Sequence, residues 1–274
     1  MLPMINPIVM YSSNHNVLKT KTKTSDIEQN KETLTKLITD LKETLDSVGG
    51  LGLAANQIGR DESVCIVRFD DSIVTMINPV ITKTFGEDKI SIEGCLSLPG
   101  VSTRVNRSEN IEVKFINPDK NWEEETIEVQ FPNSVIVQHE VDHLNGKLMI
   151  DDLSAFERSL ISTKLKRISR GNAEINYVGM IWRDSQKSWS LVGPYMKLLE
   201  FYNQTSSKET DTPIENIEEY RRKKIKYIFI CNWFRKVLFV LFTAFRGNTD
   251  EKIYTCHWHS FGNSYRSICS KWFR

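Results

Sequence analysis

Two histidines, His139 and His143, stand four positions apart in the run Gln138-His139-Glu140-Val141-Asp142-His143. On a helix that spacing puts both imidazoles on one face, where they can hold a single divalent metal. Glu140 lies between them and can act on a water held by the same metal. The chemistry named by these residues is metal-assisted hydrolysis.

A third ligand is needed, and the chain offers two. Glu157 follows His143 by fourteen residues, in the manner of one large protease class. Upstream, Glu93-Gly94-Cys95-Leu96-Ser97 places a cysteine beside a glycine in a loop between β-like runs. A thiolate with two imidazoles makes a three-ligand site that leaves a fourth position open for water.

These residues must be carried by a folded core, and the pattern of the chain predicts its parts. A helix is expected from a capping box at Ser25-Asp26-Ile27-Glu28 through the stripe Ile27, Leu34, Leu37, Ile38, Leu41, Leu45 and Val48, ending at Gly49-Gly50. Gly50-Leu51-Gly52-Leu53-Ala54-Ala55-Asn56-Gln57 is small and apolar, shaped for close backbone approach. Strands are expected at Val64 to Phe69, Ile73 to Ile77, Ile111 to Ile116 and Thr126 to Gln130, with turns at Asn78-Pro79 and Asn117-Pro118. Asn133 to Leu144 reads as a buried helix bearing the histidines and ending at Asn145-Gly146, and Ser154 to Arg170 as a further amphipathic helix. The fold class expected is α+β: a mixed, mostly antiparallel β framework around a central helix carrying the His-Glu-x-x-His motif.

Composition bounds the rest. The 274 residues suit one large or two small domains, and the net charge is +1. The charge is unevenly spread: residues 221–274 hold twelve Lys/Arg against two Asp/Glu, so the remainder is net −9. Such asymmetry marks the tail as a region with its own partner. Five cysteines form no disulfide framework, which favours a reducing compartment. No apolar signal core follows Met1 and no arginine precedes Arg60, so a cytoplasmic protein is expected.

Taken together, the glycine-rich run 50–57, the cysteine run 93–97 and the histidine run 138–143 closely resemble the three signature motifs of the peptide deformylases, in order and in spacing. The resemblance covers about residues 5 to 168. It implies that Cys95, His139 and His143 bind the metal, typically Fe²⁺ and replaceable by Zn²⁺, Ni²⁺ or Co²⁺. It implies that Glu140 is the general base and acid. The side-chain amide of Gln57 and the backbone N–H of Leu96 would stabilise the oxyanion, and Gly52 with Gly50 would let the substrate backbone lie close. Ser97, Asp142 and Arg107 are expected around the ligands, with Asp142 paired to Arg107, and Leu98 to Val105 shapes the groove. The implied substrate is the N-formyl-methionyl end of a nascent polypeptide, bound along a strand edge with its Met side chain in an apolar pocket. Formate is the product. The rival readings are a zinc endopeptidase using Glu157, and a silent binding protein that keeps the fold.

Beyond the catalytic domain, expected at 1–170, residues 171–216 read as a linker or extension, polar from Gln204 to Asn216, and 217–274 as a basic, aromatic-rich extension. Ile228 to Phe245 is apolar, but Arg235 and Lys236 near its middle would each cost roughly 2.5–3.5 kcal/mol inside a bilayer. The segment therefore fits contact with a membrane surface, the ribosome or another anionic partner better than a spanning helix. Cys256-His257-Trp258-His259 with Cys269 is an incomplete ligand set and reads as packing.

Overall fold

A computed structural model of the chain describes residues 5–13, 15–70 and 72–193. All of these belong to the first of two compact units, Met1–Asn232. The polar run 204–216, the basic cluster Arg221–Lys226, the apolar segment Ile228 to Phe245 and the Cys/His set at 256–269 lie outside the described residues.

Two sheets and three helices make up the described fold. The larger sheet is antiparallel and runs in the order β2 (Gly52–Ala54), β3 (Val64–Phe69), β4 (Ser72–Gly94), β5 (Ser102–Asn117), β6 (Glu123–Gln130). The smaller joins β1 (Ile8–Val9), β7 (Gly179–Arg183) and β8 (Ser188–Val192), with β1 parallel to β7 and β7 antiparallel to β8. The helices are α1 (Ile27–Val48), α2 (Asn133–Leu144) and α3 (Ala155–Ser169). Mixed helix and mostly antiparallel sheet is the expected class.

The local differences from expectation have physical causes. The N-cap of α1 is Asp26, whose carboxylate accepts from the Gln29 N–H, so the expected box at Ser25 does not form. Ser25 instead exchanges two hydrogen bonds with the Asn78 side chain. That contact holds Asn78 at a φ of +52°, and Asn78-Pro79 is a bulge inside β4 rather than a chain reversal. β4 accordingly runs well past Ile77. Its exposed, charged continuation around Lys83, Glu87 and Lys89 has no buried face to give an apolar signature, and it is a strand because β5 pairs with it. Asn117 does begin a turn, its carbonyl accepting from Lys120 and Trp122.

The hairpin of β7 and β8 lies in the stretch expected as linker or extension. Met180, Ile181, Trp189, Leu191 and Val192 are buried and share one core with Ile8, Val9, Met10, Leu165, Ile168 and the inner stripe of α1. Residues 179–192 are thus part of the same body as the N-terminal strand.

α2 packs on β2, β3 and β5. Val137, Val141 and Leu144 enter a second core with Ala54, Cys65, Val67, Met76, Ile111, Val113 and Phe115. Its polar side is fixed as firmly. β6 stops at Gln130, opposite Asn110, so Ser108 of β5 has no strand partner on that side. The Gln138 side chain takes its place, accepting from Ser108 N–H at 3.0 Å and donating to Ser108 C=O at 2.9 Å. No helix among the described residues is long and apolar enough to cross a membrane.

Candidate metal centre and substrate cleft

Three elements converge on one point. α2 supplies His139, Glu140 and His143; the turn that follows β4 supplies Cys95; the short 3-10 turn Ala55–Ile58 after β2 supplies Gln57. The histidine rings stand edge to face with centroids 4.9 Å apart. Cys95 Sγ lies 3.2 Å from His143 Nε2, and one ligand atom from each of Cys95, His139 and His143 lies within 4.8 Å of the other two.

A metal fits this donor set. One thiol and two imidazoles supply three soft-to-borderline ligands. Burial pushes the His143 imidazole well below its ordinary value and keeps it neutral, as a ligand must be, while for His139 burial is outweighed by Cys95 and Glu93, which push it up, so a metal would have to displace a proton there. Nδ1 of His139 is 2.8 Å from Glu93 Oε2, which leaves Nε2 as the ring nitrogen available to a metal. Arg107 grips the same carboxylate through Nε at 2.7 Å and an NH₂ group at 2.9 Å, and reaches Asp142 at 2.6 Å. The expected Arg107–Asp142 pair is present. Glu93, quoted only as the start of a motif, turns out to be the hub of this network. Burial opposes its ionisation, but the hydrogen bonds from Arg107 and His139 outweigh that and hold its carboxyl at about 2.

Glu140 is buried, and Oε2 has no hydrogen-bond partner among the described residues. Burial pushes its carboxyl up to about 7. Gly52 explains how the group is accommodated: a Cβ there would fall 2.8 Å from Cγ and Cδ of Glu140. Gly52 therefore makes room for the carboxylate. A Cβ on Gly50 would meet the side-chain tips of Leu45 at 2.9 Å and Leu96 at 3.2 Å, so that glycine permits close packing at the cleft wall.

Gln57 is aimed by its own turn. Its Oε1 accepts from Ala54 N–H at 2.9 Å, which points the amide NH₂ at Cys95 Sγ, 3.6 Å away, and at Ser97 Oγ, 3.3 Å away. Asn56 ties the same turn to α2 by donating to the His143 carbonyl.

The cluster opens into a cleft of about 1120 Å³. Gln57, Cys95, Leu96, His139 and Glu140 line it, together with exposed apolar side chains of Leu51, Ile92 and Phe131. Of the expected groove segment, Leu98 to Ser102 contribute to the wall. One wall was not foreseen: Glu174 to Tyr177, from the connection between α3 and β7. Glu157 takes no part. It is exposed in the first turn of α3, where its carboxylate accepts from Ser154 N–H at 2.9 Å as half of a capping box. The endopeptidase reading loses its third ligand to helix capping.

A family model described as polypeptide deformylase matches residues 5–159. The chain is similar to the peptide deformylase of Cytophaga hutchinsonii, with 35% identity over 182 residues, 64% of this chain and 96% of that one. It is similar to that of Thermodesulfovibrio yellowstonii, with 41% identity over 155 residues, 55% of this chain and 91% of that one. Among solved structures, the peptide deformylase of Legionella pneumophila matches with a TM-score of 0.55 and 31% identity, covering 61% of this chain and 96% of that one. That of Ehrlichia chaffeensis in complex with actinonin matches with 0.54 and 28%, covering 61% and 99%. The chain belongs to the polypeptide deformylase family.

Proposed function

We propose that Cys95, His139 and His143 hold one divalent metal, and that Glu140, Gln57 and Leu96 carry out the hydrolysis on substrate. As a member of its family the enzyme removes the N-formyl group from the formyl-methionyl end of new polypeptides and releases formate. The observation that carries the residue roles is the convergence of the three ligand atoms beside a buried, unpartnered Glu140 oxygen.

When bound, the metal lowers the pKa of water and polarises the formyl carbonyl. Glu140 holds the proton taken from the attacking water and passes it to the leaving amine. Its carboxyl is buried with an unpartnered oxygen among the described residues, so it can take up that proton and give it back. The Gln57 amide and the Leu96 N–H bear on the developing oxyanion, which a neutral amide donor can stabilise without a competing charge. Leu51, Ile92 and Phe131 offer apolar surface for the methionine end of the peptide. A thiolate with two imidazoles accepts several first-row ions; Fe²⁺ is the ion we assign, with Zn²⁺, Ni²⁺ and Co²⁺ as substitutes. The catalytic domain is assigned to the N-terminal part of the chain. The +10 stretch at 221–274 is assigned to contact with the ribosome or a membrane surface. We assign a cytoplasmic location.

The test is formate release from a formyl-Met peptide by Fe²⁺-loaded protein, with Cys95→Ala alongside. Loss of both metal and activity in the variant is expected. Retained metal with full activity would remove Cys95 from the site and overturn the assignment.

A further inference from the structure

The Cys95 turn is held by its own Leu98 and by two residues that flank the smaller sheet. Three successive carbonyls each have a donor. Cys95 C=O accepts from Leu98 N–H at 2.9 Å, Ser97 C=O from Tyr11 N–H at 2.9 Å, and Leu96 C=O from the phenol of Tyr177. Tyr11 follows β1 and Tyr177 precedes β7, and these two strands are paired. By contrast, the Leu96 N–H has no backbone acceptor among the described residues. Leu96 and Tyr177 both line the cleft. Tyr177 lies beyond residues 5–159, the stretch that the family model matches.

We infer that Tyr177 is a positioning residue for deformylation: by donating to the Leu96 carbonyl it locks the Cys95–Ser97 turn so that the free Leu96 N–H stays fixed for the oxyanion. The inference rests on the assignment of Leu96 N–H as an oxyanion donor. The physical warrant is that such donors act only when preorganised, since they must not reorient as charge develops. The Leu96 N–H shares its peptide plane with the Cys95 carbonyl, held by Leu98; Tyr177 fixes the next plane, on the other side of the Leu96 Cα, and Tyr11 the one after, so the turn cannot relax about that Cα and re-aim the N–H. The phenol is well suited to the task. Burial and the neighbouring Cys95 push its ionisation upward, so it remains a donor. It also makes the β1–β7–β8 sheet a support for the reacting centre.

The experiment uses the full-length, metal-loaded enzyme. Tyr177→Phe keeps the ring and removes only the donor. We expect kcat to fall about tenfold with KM within about twofold, because misplacement of a catalytic group weakens the transition state more than the ground state. Metal content and melting temperature should stay near wild type. 4-Aminophenylalanine at 177, which restores an N–H donor, should recover kcat to within about threefold; equal loss in both variants would mean that the hydroxyl bond is irrelevant and overturn the proposal. The Leu96 reading is tested separately by incorporating the α-hydroxy analogue of leucine at 96, which replaces the N–H by an ester oxygen and should cost on the order of 10²–10³ in kcat. A wild-type rate for that ester sinks the Leu96 assignment and the Tyr177 proposal with it. A slow ester beside an unimpaired Tyr177→Phe sinks only the proposal. If Tyr177 acts through Leu96, Tyr177→Phe in the ester background should cost little more; full additivity would overturn it.

Discussion

Nδ1 of His139 lies 2.8 Å from Oε2 of Glu93, and the same carboxylate is gripped twice by Arg107. The arrangement fixes the ring orientation of one of the three proposed ligands, with Glu93 itself outside the ligand set. Outer carboxylates of this kind are typically worth 10–100-fold in metal affinity or activity.

Glu93→Gln should therefore weaken metal retention by about one to two orders of magnitude, read by competition with a chelator. It should also alter the acid limb of stability in the metal-free protein. The folded carboxyl sits at about 2 against an ordinary 4.5, held there by Arg107 and His139 against the opposing effect of burial. A depressed carboxylate contributes stability that is complete above about 4.5 and is lost as pH falls toward 2, about 3 kcal/mol in all. Thermal melts between these pH values should steepen for wild type and flatten for Glu93→Gln. Parallel curves would show that Glu93 is not ionised in the fold.

Gly52→Ala separates two roles. If the glycine clears space for substrate, the methyl raises KM. The contact with Glu140 predicts otherwise: the added Cβ displaces the carboxylate, so kcat should fall on the order of 10²-fold while KM and metal content hold. A rise in KM alone would return Gly52 to substrate binding.

Much of this site was legible in the residues, and the reason is local. Gln57 enters through the resemblance of the run 50–57 to a family motif, whereas His139 and His143 are read from helical spacing, a signal within a few residues of each. The α2 boundaries follow in the same way from a short apolar pattern. Glu93 was invisible as a hub because its partners are distant: Arg107 reaches it across a hairpin and His139 from a helix. Tyr177 was hidden for a stronger reason. Its role depends on β1 and β7 pairing across most of the domain, and no local pattern in 171–178 announces that pairing. The continuation of β4 past Ile77 was missed because its middle, around residues 82–88, has both faces in water and so no period-two apolar signature.

Gln57→Ala should lower kcat by about 10²–10³ with metal content unchanged, because the donor it removes bears on the transition state and not on the ligands. Gln57→Glu is the sharper variant. It can keep the contact with Ala54 N–H while replacing the NH₂ donor by an acceptor, and it should be at least as slow. A Gln57→Ala enzyme with wild-type kcat and raised KM would assign the side chain to ground-state binding.

The hairpin of β7 and β8 sets where the chain can be cut. Ending it at Arg170 strips Met180, Ile181, Trp189, Leu191 and Val192 from the core that buries Ile8, Val9, Met10, Leu165 and Ile168. Each large apolar side chain buried contributes roughly 1.5–3 kcal/mol, so the loss rivals the 5–15 kcal/mol that holds a domain together. That version should fail to give a cooperative melt and should release no formate. A chain ending at Gly193 keeps the sheet, the Tyr177 contact and all the cleft residues among those described, and should match the full chain in kcat/KM within about twofold. What it should lose is association with ribosomes or anionic vesicles. That association should also fade between about 50 and 200 mM salt in the full chain, because the stretch removed carries the basic excess. Equal sedimentation of both forms with ribosomes and with vesicles would strip the tail of that role and leave the catalytic assignment untouched.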